Sequence, residues 1–145
     1  MIREACLDDL DSLVEVEKLS FETDCFHRRQ LHYLLAKAQG IVLVYERAGQ
    51  VSGALILSWR RNSTIARIVS VAVRPEYRSQ GIGTDLVGQA ENIARTRGLK
   101  TINLEVRLDN EKAISFYEDC GYNRVDLQPD YYGDGMAGIR YQKLL

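Results

Sequence analysis

The apolar positions of this chain change period several times along its length, and each change marks an element. Ile2–Glu4 reads as a short strand. It leads into a helix in which Leu10, Leu13, Val14 and Phe21 keep roughly helical spacing, with Asp8 or Asp9 placed to cap it. Over residues 28–38, Leu31, Leu34, Leu35 and Ala38 fall at i, i+3, i+4 and i+7, which predicts a second helix with one apolar face. From Ile41 the period shortens. Ile41–Tyr45 is continuous and β-branched, Ala48-Gly49-Gln50 turns, and Val51–Leu57 follows, so the pair predicts a hairpin. Arg60–Ser63 turns again. Ile65–Val73 is a third strand, and its stretch Ile68–Val73 reads as buried on both faces.

The second half alternates helix and strand. A polar loop, Glu76–Gly83, opens a helix that runs to about Arg97, with Ile82, Leu86, Ala90, Ile93 and Ala94 on one face and Gly98 closing it. Thr101–Arg107 is a strand, Glu111–Asp119 a helix ended by Gly121, and Tyr122–Leu127 and Ile139–Lys143 two last strands around the loop Gln128–Gly138. The order β-α-α-β-β-β-α-β-α-β-β predicts an α/β (α+β) fold. Its sheet is mixed, mostly antiparallel, with about six or seven strands and about four helices.

At 145 residues the chain fits one domain spanning 1–145. Hydrophobic residues are 46% and charged residues 27%, which excludes disorder and fibrous repeats. Nineteen Lys and Arg against twenty Asp and Glu leave a net charge of −1, without the basic excess of a nucleic-acid-binding domain. No apolar run approaches the roughly 20 residues of a membrane span, and the acidic N-terminus does not read as a signal peptide. Cys6, Cys25 and Cys120 are widely spaced and read as structural thiols of a reduced, cytoplasmic protein. With only His27 and His32 besides them, no metal site can be assembled.

The loop Arg78-Ser79-Gln80-Gly81-Ile82-Gly83 joins an apolar strand to a helix. Two glycines let backbone N–H groups approach an anion, the helix start adds unpaired donors, and Arg78 adds a fixed charge. The segment is therefore either a phosphate or pyrophosphate cradle or a ligand-free turn. It is not a P-loop, and Leu86 stands where a dinucleotide fingerprint needs its third glycine. Along Thr101–Arg107 the side chains alternate, which puts Thr101, Asn103, Glu105 and Arg107 on the face opposite Ile102, Leu104 and Val106. Glu105 is either a working carboxylate or a solvated one. Tyr117 shares a helical face with Ala113 and Ile114, so it is either a functional phenol or a core aromatic.

The run from Val71 to Val125 resembles the acetyl-CoA-binding core of the GNAT superfamily of N-acetyltransferases. Residues 78–83 match that superfamily's pyrophosphate loop, [RQ]-x-x-G-x-[GA]. Leu104–Arg107, Asp109-Asn110, Ala113, Phe116-Tyr117 and Gly121-Tyr122 are similar to its branch acting on protein N-terminal α-amines, notably the ribosomal-protein-alanine N-acetyltransferases. The resemblance implies splayed strands holding acetyl-CoA. Val71, Ala72 and Val73 would line the pantetheine arm, Arg78, Ser79, Gln80, Gly81, Ile82 and Gly83 the pyrophosphate, and Asn110 and Tyr117 would contact CoA. It also implies Glu105 as general base and Tyr117 as general acid. Ile65–Val73 holds no Asp or Glu, so a base one strand earlier is excluded.

In the same branch the segments corresponding to Phe21–His27 and Asp130–Ala137 clasp the acceptor, which implies Phe26, Tyr131 and Tyr132 as acceptor-binding residues. The branch often follows the tyrosine pair with Glu-Asp-Ala, whereas this chain has Met136-Ala137-Gly138. The implied activity is acetyl transfer to a primary amine, foremost a protein or peptide N-terminus, by a monomer or homodimer. Transfer to a small amine or lysine, or CoA binding without turnover, are the other readings.

Overall fold

Residues 1–21, 25–36 and 39–145 are described by the structure, a computed structural model. β1 (Ile2–Glu4) lies antiparallel to β2 (Gly40–Arg47), β2 to β3 (Gln50–Trp59), and β3 to β4 (Ile65–Val73). This is the predicted meander, with β1 added at its edge. β5 (Thr101–Arg107) runs parallel to β4, and β7 (Gly138–Leu144) lies antiparallel between β5 and β6 (Asn123–Gln128). The sheet order is therefore β1-β2-β3-β4-β5-β7-β6.

Each face of the sheet has its own core. On one, α1 (Leu10–Ser20) and α2 (Arg28–Ala36) press Leu13, Val16 and Leu31 onto Val42, Val44, Ala54 and Ile56. On the other, α3 (Ile82–Thr96) and α4 (Glu111–Asp119) cover Leu55, Leu57, Ile102 and Leu104. β3 thus feeds alternate side chains into both cores, as a central strand of period two must. A fully buried leucine such as Leu55 contributes about 1.5–3 kcal/mol by burial. The far half of the sheet is tied to α3 through buried Glu91, whose carboxylate accepts from the Tyr122 hydroxyl at 3.0 Å and from Lys143 Nζ at 3.1 Å.

Several expectations change in detail. Neither Asp8 nor Asp9 caps α1 with its side chain. Both sit in a 3₁₀ turn, Leu7–Asp9, and the Asp9 carboxylate instead accepts from the Cys6 N–H at 2.9 Å and pairs with Arg3. Phe21 ends α1 in extended backbone rather than continuing its face. The predicted end of α2 at Ala38 lies outside the described residues. Tyr122 precedes β6 and is a fully buried anchor of the second core.

The main correction concerns β4. Ser70, Val71 and Val73 are only partly buried, because the parallel pairing with β5 covers Ile65↔Thr101, Ala66↔Ile102 and Arg67↔Asn103 alone. Two positions later the register against β3 slips, with Ile56 opposite Ser70 and Leu57 opposite Ile68, which leaves Val69 as a bulged residue. A bulge bends its strand and increases local twist. β4 therefore turns away from β5, and a gap opens in the middle of the sheet. Among the described residues no helix is long and apolar enough to cross a membrane.

Candidate active site

The gap widens into a cleft of about 390 Å³. Val71, Ala72, Val73, Arg78 and Gly83 line one side, and Asn110 and Tyr117 line the other. These are seven of the positions assigned to the cofactor from sequence, brought together from β4, the following loop and α4. Ser79, Gln80, Gly81 and Ile82 do not line the cleft. Ile82 is buried in the core, and the Gln80 side chain accepts a hydrogen bond from Arg47. Among the described residues, the four shape the loop through their backbone path alone.

That path is specific. Ser79 and Gly81 both adopt left-handed backbone, at φ 63° and 82°. Gly81 begins α3 with no side-chain cap, so the first-turn N–H groups keep no intrahelical acceptor. Gly83 has a different reason: a Cβ there would meet the Phe116 ring at 3.2 Å. Arg78 Nε donates to the Val73 carbonyl at 3.1 Å, which fixes its guanidinium at the cleft mouth. Bare donors, a cation and a narrow apolar slot fit the pyrophosphate and pantetheine of a CoA thioester.

Asn110 caps α4, its side chain accepting from the Ala113 N–H at 3.1 Å. This fixes the helix that carries Tyr117. The phenol packs edge-on against Phe116 and Tyr122. Burial pushes its pKa up, so it holds its proton throughout the neutral range.

A second, smaller cavity of about 220 Å³ shares Val71, Asn110 and Tyr117 with the cleft and extends to Glu105, Phe26 and Tyr132. Glu105 and Tyr117, predicted as base and acid, thus line one space from two elements. Only 6% of the Glu105 side chain is exposed, so it is not the solvated carboxylate of the alternative reading. Oε1 is approached by Arg67 at 3.5 Å, Arg140 at 3.6 Å and the Tyr131 hydroxyl at 3.4 Å. Oε2 is buried and makes no hydrogen bond among the described residues.

The acceptor-side expectations divide. Phe26 and Tyr132 line the small cavity. Tyr131 does not, yet it accepts from Arg67 at 2.7 Å and donates to Glu105, so it braces the carboxylate from outside. Residues 22–24 of the segment Phe21–His27 lie outside the described residues. Sequence reasoning missed Arg107 and Glu17. Arg107 pairs with Asp109 and Asp134 and lies 5.0 Å over the Tyr132 ring, holding the loop between β6 and β7. Glu17 is buried on α1 and reaches the same cavity, accepting from the Phe26 N–H at 3.4 Å and the Ser70 hydroxyl at 3.3 Å. Burial pushes its carboxyl up to about 7 despite those two donors. The available signal was its position four residues after Leu13 and four before Phe21, inside an apolar stripe.

A mixed sheet parted between two parallel strands, with a glycine-bearing loop heading the next helix, defines a CoA-dependent acyltransferase. The profile of the Acetyltransferase (GNAT) family matches residues 7–122, and the chain belongs to that family. An N-alpha-acetyltransferase of Sulfurisphaera tokodaii is 28% identical over 145 aligned residues, covering 92% of this chain and 86% of the relative. The ribosomal protein bS18-alanine N-acetyltransferase of Escherichia coli is 37% identical over 67 residues, 46% of this chain and 45% of its own. The crystal structure of Ard1 from Thermoplasma volcanium superposes with a TM-score of 0.89 at 27% identity, over 100% of this chain and 97% of that one.

Proposed function

We propose that this N-acetyltransferase moves an acetyl group from acetyl-CoA directly to the N-terminal α-amine of a protein or peptide. The observation that carries this reading is the shared cavity: Glu105 and Tyr117 face one space that opens onto the cleft at Val71. Glu105 receives a proton from the acceptor ammonium, directly or through one water. The freed nitrogen attacks the thioester carbonyl, whose oxygen takes up charge beside the backbone of Val71. The C–S bond then breaks as the Tyr117 hydroxyl protonates the leaving thiolate. The attacking nitrogen passes its second proton to the Tyr117 phenolate, and Glu105 releases the first to solvent, so the products are the amide, the free thiol and one proton. An α-ammonium has a pKa of roughly 7.7–8.0 against about 10.4 for lysine, which makes a carboxylate an adequate base for the former. Phe26 and Tyr132 would flank the acceptor, and Arg78 with the first turn of α3 would hold the pyrophosphate. Names of relatives acting on N-alpha termini and on a ribosomal protein support the acceptor class.

The test is thiol release from acetyl-CoA with N-terminal peptides, lysine peptides and polyamines, with the product located by mass spectrometry. Acetyl found at the peptide N-terminus, and losses of roughly 10²-fold or more in Glu105→Gln and in Tyr117→Phe, are expected. Acetyl found only on lysine or polyamine overturns the acceptor assignment. Near-wild-type rates in both variants overturn the two roles.

A further inference from the structure

Beyond Glu105, on the side away from the cleft, lies a third cavity of about 490 Å³. Its charged lining is unbalanced: Arg60, Arg67 and Arg140 line it, and among the described residues the sole carboxylate is that of Glu105 itself. Arg67 and Arg140 stand 3.5 and 3.6 Å from Glu105 Oε1, at the limit of ion pairing, and Nε of Arg140 is buried with no hydrogen-bond partner among the described residues. Two guanidinium groups therefore share one carboxylate, and a third, that of Arg60, lines the same cavity, in a chain whose net charge is −1. A buried donor left unpaired costs free energy, and a planar guanidinium is suited to take a carboxylate through two N–H groups.

The cavity also adjoins the small cavity, since Glu105 lines both. With the amine at Glu105, the next residues cannot run into the cleft that takes the acetyl donor. Extended backbone advances about 3.3 Å per residue, so the second to fourth residues of a peptide reach this space. We propose that the Arg60–Arg67–Arg140 cavity is a subsite for the acceptor's second to fourth residues and that it selects an acidic side chain there. The inference rests on the α-amine reading above. It adds a determinant that the sequence motifs do not contain, since Arg60, Arg67 and Arg140 come from the β3–β4 turn, β4 and β7.

The test uses the full chain, acetyl-CoA and matched peptides carrying a single Glu, Ala or Lys at position 2, 3 or 4. At one position or more, Glu is expected to lower KM about fivefold relative to Ala, the size of a partly exposed ion pair, and Lys to raise it. This preference is expected to shrink as salt is raised. Within Arg60→Glu, the ratio of KM values between Glu and Lys peptides is expected to invert. Because the readout is a ratio within one variant, a general loss of activity does not imitate it. N-terminal acetylation of all peptides with equal KM overturns the subsite while leaving the α-amine reading intact, as does a preference unchanged by Arg60→Glu. No peptide turnover overturns both.

Discussion

The carboxylate of Glu17 accepts the Ser70 hydroxyl at 3.3 Å, joining α1 to β4 three residues after β4 loses its partner β5. The same carboxylate accepts the Phe26 N–H, so one buried side chain ties both helical and strand walls of the small cavity. No cation faces it in these contacts, which is why burial dominates and its pKa reaches about 7.

Linkage gives this burial a sign. A carboxyl whose folded pKa is raised from 4.5 to about 7 stabilises the protein fully below 4.5, and that contribution is lost as pH rises through 7. At about 1.4 kcal/mol per pKa unit, the loss over these 2.5 units is about 3–4 kcal/mol. Glu17→Gln is therefore expected to flatten the stability profile between pH 4.5 and 7. Urea unfolding of both proteins across that range measures it, and parallel profiles would show that Glu17 is not the group responsible.

Asp9 works in the opposite direction. Hydrogen bonding from Arg3 lowers its pKa from 3.8 to about 2, so its contribution is present above 3.8 and disappears as pH falls through 2. Asp9→Asn keeps the shape and loses the charge. It is expected to cost about 1–2 kcal/mol at pH 7 and progressively less in acid, read from chemical denaturation at pH 7 and pH 3.

The two loop glycines are expected to respond differently to alanine. At Gly81 nothing lies within 4 Å of a Cβ, but φ is +82°, so Gly81→Ala costs about 1 kcal/mol of backbone strain. At Gly83 the added methyl pushes Phe116 toward the cleft while improving helix propensity. Gly83→Ala should therefore hold its melting temperature within a few degrees and weaken acetyl-CoA several-fold. Calorimetric titration beside a thermal melt separates the two effects.

Arg107→Ala removes the link between β5, Asp134 and the Tyr132 ring. Exposed ion pairs are worth about 1 kcal/mol or less, so stability should change little. The KM for the acceptor should rise several-fold with a smaller change in kcat, because the residue orders the loop and takes no proton. Steady-state kinetics with saturating acetyl-CoA read this split. An equal fall in kcat with unchanged KM would move Arg107 into the chemical step.

Most of the architecture was legible because each element carries its own period. The β2–β3–β4 meander, the single apolar face of α3 and the alternation along β5 are local patterns, and local patterns survive folding. The character of β4 was legible from the family resemblance, which implies splayed strands, but not from its own pattern. Val69, Val71 and Val73 look like core because they are apolar, yet the bulge turns this stretch toward a gap, and a sequence of valines does not distinguish a packed wall from an open one. Within the site, Glu105 and Tyr117 were found from alternation and family resemblance. The contact of Arg67 with Tyr131, 64 residues away, leaves no periodic trace.

The parting of β4 from β5 also has a kinetic signature. Past Arg67, alternate amides of β4 point toward the gap rather than toward β3, so they lack the ladder that slows proton exchange in the rest of the sheet. In the unliganded protein these amides of the central sheet should trade deuterium at rates expected of a surface loop. A donor molecule filling the gap would then act as a missing strand, closing that window from within.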